Sequence, residues 1–194
     1  MEARQAKIER KTSETEIVVE VNLDGRGAYE IDSGVGFLDH MLSHLAKHGA
    51  IDLTVNAKGD LEVDAHHTVE DVGICLGNAL GNALGDKKGI ARYGNSSVPM
   101  EDALANVAVD LSGRAFCSYH AEYRTEKIGD FDVECIEEFL RSFSHAGRLN
   151  LHVNVPYGTN SHHIAEAIFK AFGQAMRQAV RIVSTEIPST KGTL

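Results

Sequence analysis

Apolar and polar residues alternate along residues 16–23 and again along 105–111, a pattern that is typical of strands with one buried face. Each segment is followed by a turn dipeptide, Asp-Gly at 24–25 and Ser-Gly at 112–113. Because such dipeptides favour tight turns, we expect each strand to return on itself as a hairpin.

Apolar residues also recur at helical spacing. Within residues 35–48, Leu38, Leu42 and Leu45 fall on one face, and Gly49 can end that helix. Other segments predict a strand over 51–55 and helices over 66–84, 131–146 and 162–182.

The chain is internally duplicated. Three segments of the first part reappear in the same order in the second, and the first pair is identical at five of eight positions with an offset of 88. The matched pairs are 19–26 with 107–114, 37–49 with 135–147, and 66–70 with 162–166. Three collinear matches predict two homologous halves, approximately residues 1–88 and 89–194.

The predicted fold class is α+β. Each half is expected to contain ββαβα, and no linker rich in Pro, Gly or Ser separates the halves. We therefore expect a single domain over residues 1–194, in which a sheet layer packs against a helix layer.

Composition narrows the possible functions. A net charge of −9 over 194 residues argues against nonspecific binding to nucleic acid. No apolar run approaches the roughly 18 residues that a membrane span requires. The three cysteines, Cys75, Cys117 and Cys135, have no CxxC spacing, so reduced thiols and a cytoplasmic location are expected.

Seven of the ten histidines lie in three clusters. His40, His44 and His48 are spaced four residues apart and form one stripe along the first predicted helix. A polar face turned to solvent is one interpretation. The other is a stripe that contributes to a site at a subunit interface.

The motif His-His-x-x-Glu occurs at residues 66–70 and again at 162–166. Adjacent histidines on a helix point about 100° apart, so they suit two different ions better than one. A helix-terminal pair without a ligand is the alternative for either motif alone. The duplication favours a two-metal site or two neighbouring sites, and imidazole with carboxylate suits Mn, Fe or Zn, with a preference for Mn.

Several segments resemble the imidazoleglycerol-phosphate dehydratase family over residues 5–193. The segments are Arg10–Thr15 (RKTSET), Phe37–Leu42 (FLDHML), Asp64–Asp71 (DAHHTVED), Asn160–Ala167 (NSHHIAEA) and Ser189–Lys191 (STK). The resemblance implies a hydro-lyase of L-histidine biosynthesis with a ribosomal-protein-S5-domain-2-like fold. It also implies a homo-oligomer, a 24-mer of octahedral symmetry with active sites between subunits.

The resemblance further implies two manganese ions per active site. The ligands implied are His40, His66, His67, Glu70, Glu138, His162, His163 and Glu166. The internal repeat pairs His40 with Glu138, where many family members have histidine. His145, about two turns onward, is the alternative ligand at that position.

The substrate implied is D-erythro-1-(imidazol-4-yl)glycerol 3-phosphate, and the product is 3-(imidazol-4-yl)-2-oxopropyl phosphate. An imidazolate-like intermediate would delocalise the charge left when a carboxylate removes the carbon-bound proton. The candidate catalytic residues are Glu14, His44, Asp102 and Glu166, with the base left open between Glu14 and Glu166. The substrate-binding candidates are Glu14, His48, Arg92, Arg114, Lys170, Ser189, Thr190 and Lys191.

Two other functions fit the same ligands. A two-metal hydrolase, such as a phosphatase, would use metal-bound water as its nucleophile. A metal-binding cage without catalysis would explain the histidines but leaves the predicted phosphate contacts unexplained.

Overall fold

The computed structural model describes residues 3–194, so the first two residues of the predicted domain lie outside it. The first half contains β1 Gln5–Lys11, β2 Thr15–Asn22, β3 Tyr29–Asp32, α1 Gly36–Gly49, β4 Asp52–Gly59 and α2 His66–Leu84. The second half contains β5 Tyr93–Met100, β6 Ala103–Asp110, β7 Phe116–His120, β8 Lys127–Ile128, β9 Phe131–Asp132, α3 Glu134–Gly147, β10 Asn150–Tyr157 and α4 Ser161–Ala179. Among residues 3–194, no helix is long and apolar enough to span a membrane.

The two halves have the same sheet topology. The strand orders are β1-β2-β4-β3 and β5-β6-β10-β7, and helices cover one face of each sheet. Ile17, Val19 and Val21 alternate with more exposed residues and point into the core. The predicted α+β class and the duplication are therefore confirmed, although each half has one more main strand than the predicted ββαβα.

The predicted hairpins after β2 and β6 are wrong. β2 pairs antiparallel with β1 and β4, whereas β3 pairs with β4 in parallel. The turn after β2 is instead tied to β4, because the Asp52 carboxylate accepts hydrogen bonds from the backbone of Arg26 at 2.8 Å and Ala28 at 2.9 Å. The chain thus passes through α1 before β4 fills the position between β2 and β3.

The helices of the two halves pack against each other across the core. Helix α1 of the first half packs on α4 of the second, and α3 packs on α2. A side chain at Gly173 would approach the backbone oxygen of Leu45 to 2.9 Å, and one at Gly77 would approach that of Phe143 to 2.5 Å. These contacts are equivalent in the repeat, so both helix pairs cross at the same point.

Three helix boundaries differ from prediction. Gly49 remains helical and lies at the α1–α4 crossing, and Ala50 adopts the left-handed conformation with φ 52°. Helix α3 begins at Glu134 rather than near 131, because Phe131 is buried in β9 with its ring 5.1 Å from that of Phe37. Helix α4 ends at Ala179, earlier than the predicted 182.

Gly94→Ala is expected to destabilise the fold by about 1–3 kcal/mol or more, because overpacking forces backbone shifts. The new Cβ would lie 1.9 Å from the backbone oxygen of Ala175, so β5 would have to move away from α4. Gly81→Ala is the matched control, since among residues 3–194 no atom beyond its own stretch of helix lies within 4 Å of its Cβ position. Urea unfolding should show Gly94→Ala less stable and Gly81→Ala at least as stable as the wild type.

Candidate metal centre

One triad of potential metal ligands lies where α1 meets the first turns of α4. The ligand atoms of His40, His162 and Glu166 all lie within 4.8 Å of one another, the one such group found in residues 3–194. Glu166 Oε1 is 2.8 Å from Nε2 of His40 and 3.2 Å from Nε2 of His162. Because α1 of the first half packs on α4 of the second, this triad joins residues from both halves.

The Glu166 carboxylate is enclosed by further nitrogen groups. Lys170 Nζ lies 2.6 Å from Oε2, and His44 Nε2 lies 3.4 Å from Oε1. Burial raises the pKa of Glu166, but hydrogen bonds from Lys170, His40 and His162 outweigh it and hold that pKa well below its usual range. The carboxylate is therefore ionised, as a metal ligand must be.

The histidine stripe of α1 faces α4, where His40 remains 43% exposed and the other two histidines are more covered. His44 and His48 are both partly buried, and burial is the largest cause that lowers the pKa of each. Both rings are thus neutral near pH 7. Neutral imidazoles can accept a proton or a metal beside the triad.

His163 is held by a carboxylate on its Nδ1 side. Asp102, in the turn between β5 and β6, lies 2.6 Å from Nδ1, and its other oxygen accepts hydrogen bonds from Thr159 and the Asn160 backbone. The hydroxyl of Thr159 and the His163 ring hold the pKa of Asp102 well below its usual range. This arrangement fixes the ring and directs Nε2 outward, as carboxylate partners of metal-binding histidines do.

His67 is held in the same way by a residue that the sequence analysis missed. Asp60 lies 3.0 Å from His67 Nδ1 and raises the pKa of that ring. The repeat equates Asp102 with Glu14, yet in the first half the role belongs to Asp60, immediately after β4. The available signal was an acidic residue seven positions before His67 at a strand end.

The paired histidines diverge as predicted. The rings of His66 and His67 are 6.3 Å apart at 89°, and those of His162 and His163 are 6.4 Å apart at 84°. Each pair therefore directs its nitrogens to two different places. In the second pair, His162 joins the triad and His163 does not.

The equivalent ligands on α2 and α3 do not form a triad within residues 3–194. Glu138 Oε1 accepts a hydrogen bond from Ser142 at 3.2 Å. Glu138 precedes the α2–α3 crossing residue Phe143 by five positions, as His40 precedes Leu45. The alternative ligand His145 is exposed and corresponds to the exposed Lys47, which favours Glu138 as the counterpart of His40.

Most predicted phosphate contacts lie far from the triad. The backbone of Arg92 donates to Ala179 at the end of α4, and its side chain pairs with Asp110 and donates to Pro188, just before residues 189–191. Arg114 is exposed at the same end of the second sheet. Helix α4 separates this end from His162 by about 25 Å, from 1.5 Å of rise per residue. Lys170, in contrast, contacts Glu166 of the triad.

A cleft of about 700 Å³ opens beside the triad. Its lining includes Phe37, His40, Leu61, Asp64, Lys127 and Phe131. The β8–β9 hairpin forms one wall, and residues from the first half form the other. The cleft therefore gives a small ring access to the triad.

Comparisons with known proteins agree on one family. The family model for imidazoleglycerol-phosphate dehydratase matches residues 33–176. The chain is 55% identical over 193 residues to the imidazoleglycerol-phosphate dehydratase of Thermoanaerobacter pseudethanolicus, with 98% of this chain and 100% of that protein covered. It is 56% identical over 194 residues to the protein of that name from Ruegeria pomeroyi, with the same coverage.

Solved structures give the same result. The crystal structure of imidazoleglycerol-phosphate dehydratase from Staphylococcus aureus matches with a TM-score of 0.83 and 38% identity, covering 93% of this chain and 99% of that one. The crystal structure of IGPD from Pyrococcus furiosus in complex with (S)-C348 matches with a TM-score of 0.85 and 36% identity, covering 96% and 100%. The matches extend over both halves and include the triad, and this chain belongs to the imidazoleglycerol-phosphate dehydratase family.

Proposed function

We propose that this chain dehydrates D-erythro-1-(imidazol-4-yl)glycerol 3-phosphate to 3-(imidazol-4-yl)-2-oxopropyl phosphate in L-histidine biosynthesis. Family membership supports the reaction. The observation that carries it is the triad of His40, His162 and Glu166, which offers two imidazoles and a buried, ionised carboxylate beside an open cleft.

The residues present fit a manganese centre. The triad supplies nitrogen and oxygen ligands without a thiolate, a set that suits Mn²⁺. His67 and His163 have Nδ1 engaged by carboxylates, so each can present Nε2 to an ion outside the triad. When bound, manganese would polarise the substrate's imidazole ring as a Lewis acid and fix its orientation. We propose as ligands His40, His66, His67, Glu70, Glu138, His162, His163 and Glu166, around two ions per active site.

We propose Glu14 as the catalytic base. Glu166 is held by three donors and Asp102 by several, so both carboxylates serve better to orient groups than to move protons. Glu14 lies exposed in the β1–β2 turn, where its backbone oxygen accepts a hydrogen bond from the backbone N–H of Asp60. Its carboxylate can take the carbon-bound proton. The C–H electron pair then forms the C=C bond as the hydroxyl leaves.

The neutral ring of His44 can carry a proton at the other side of the reaction. The departing hydroxyl must gain a proton to leave as water, and the His44 ring can supply it after first taking a proton from solvent. The resulting enol tautomerises to the ketone. His48, one turn onward, contributes a second neutral ring to the same surface.

We propose that each active site combines two copies of the chain. The substrate is a ring joined to phosphate by three carbons and cannot span about 25 Å of helix. The metal ligands of one copy must then meet Arg92, Arg114 and residues 189–191 of another. An octahedral 24-mer, as the family resemblance implies, provides such interfaces. The free thiols of the three cysteines suit a reducing compartment such as the cytoplasm.

Turnover after metal depletion tests the proposed function. Chelated protein should be inactive with imidazole glycerol phosphate, and readdition of Mn²⁺ should restore a ketone product. Release of inorganic phosphate instead would identify a hydrolase. Metal binding without any turnover would identify a metal-binding cage.

Asp102→Asn is expected to weaken metal binding and lower activity by about 10–100-fold, the usual cost of losing a carboxylate that orients a metal-binding histidine. Asparagine keeps the size but loses the charge that fixes His163 Nδ1. Asp32→Asn, on the exposed edge strand β3, is the control and should behave as wild type. Equal manganese affinity in Asp102→Asn and the control would remove Asp102 from the site.

A further inference from the structure

The two homologous ligand sets carry different charges. The repeat equates Glu166 with Glu70, but it also equates His40 with Glu138 and Lys170 with Ile74. In the first set the charges of Glu166 and Lys170 cancel. In the second set Glu70 and Glu138 are both acids, and an isoleucine stands where the first set has its lysine. Counting only the carboxylates and the lysine, the two sets therefore differ by two unit charges.

The lysine of the first set lies in direct contact with the metal-ligating carboxylate. Lys170 Nζ is 2.6 Å from Oε2 of Glu166, and the two side chains are only 17% and 9% exposed. Oε1 of the same carboxylate faces the imidazoles of the triad. A metal ion at Oε1 and the ammonium at Oε2 would thus share one buried carboxylate.

Like charges at this separation repel strongly where water is largely excluded. In the metal-free chain Lys170 already neutralises Glu166, so the empty carboxylate gains less from binding a cation. Both effects lower the affinity of this triad for a divalent ion. At the second set, the uncharged Ile74 neither repels a bound ion nor neutralises Glu70.

Building on the function proposed above, we propose that Lys170 makes the His40–His162–Glu166 triad the weaker and more exchangeable of two manganese sites. The set around Glu70 and Glu138 holds its ion more tightly. Lys170 is a positioning residue in this role, because it acts on the metal through Glu166. One ion then remains in the assembly while the other is lost and reloaded.

The opposite sign is expected if Lys170 only orients Glu166. Losing an orienting partner typically weakens metal binding by about 10–100-fold. Losing a cation that competes with the metal would instead strengthen metal binding. The direction of the change in manganese affinity on removal of the charge therefore separates the two roles.

The experiment is a titration of metal-free, assembled protein with MnCl2, with free Mn²⁺ followed by electron paramagnetic resonance. Wild type should show two classes of site that differ in Kd by at least about 10-fold, the scale of effects from neighbouring groups on metal sites. Lys170→Met keeps the apolar stem and should tighten the weaker class by a similar factor. Lys170→Arg should keep it weak, and Lys47→Met, an exposed lysine on α1, is the control. Glu138→Gln should loosen the tighter class and leave the weaker one unchanged.

The wild-type titration alone can overturn the inference, whether or not the variants fold. Two sites of equal affinity in wild type would overturn it, as would weaker or unchanged binding in a folded Lys170→Met. Failure of the proposed function gives a different result, since the protein would then bind no manganese or would not turn over the substrate.

Discussion

Replacing Glu166 with glutamine is expected to lower kcat/KM by at least about 100-fold, since losing a ligand costs no less than losing the partner that orients one. The amide keeps the side-chain volume, so packing at the first turns of α4 is retained. It removes the single negative charge around which His40, His162 and Lys170 converge. Without that charge, a divalent ion would meet a lysine and two imidazoles.

Elemental analysis of manganese and steady-state kinetics on the same preparation measure this effect. Glu30→Gln, on exposed strand β3, is the matched control and should retain wild-type activity and metal content. Circular dichroism should show the same helix content in both variants. A folded Glu166→Gln protein with normal metal content and turnover would remove the triad from the proposed chemistry.

The helices and the divergence of the paired histidines were predictable from the sequence. Helical periodicity placed α1 and α2 within one residue of their observed ends, because it depends only on neighbours three or four positions apart. The His-His-x-x-Glu motifs indicated divergent ligand pairs for the same reason. Both signals depend only on residues close together in the sequence, so the sequence alone was enough to detect them.

The long-range arrangement was not predictable. Turn residues after β2 predicted a hairpin, but strand order depends on where β4 inserts, and local patterns do not encode that. The packing of α1 on α4 and of α3 on α2 depends on close contacts at Gly173 and Gly77. The sequence marks these two positions only as small residues. The triad forms because α1 packs on α4.

Equivalent positions in the repeat did not predict equivalent roles. Asp102 orients His163, whereas its counterpart Glu14 leaves that task for His67 to Asp60. The position equivalent to Asp60 is Gly158, where a side chain would approach Ile164 to 2.6 Å. One acidic residue thus orients the histidine in each half, and Glu14 is left free of this task for the proposed role of base.

Mixing two inactive variants is expected to restore activity. His162→Asn removes a proposed metal ligand at the start of α4, and Arg114→Ala removes a cation near its far end, about 25 Å away by helix rise. Each homogeneous assembly should have little activity, because every site lacks one group. When the chains are co-expressed, a site built from two copies can draw His162 from one chain and Arg114 from the other.

The recovered activity measures how the site is shared. With random assembly in equal amounts, about one quarter of two-chain sites receive both intact groups in a symmetric oligomer. A site contained in a single chain would recover none, because every chain carries one of the two defects. Mixing each variant with itself is the control, and gel filtration should give the same assembly size throughout. Activity near one quarter of wild type supports the two-copy site, whereas no recovery in correctly assembled mixtures contradicts it and would require the metal ligands and Arg114 to act on the substrate from one chain.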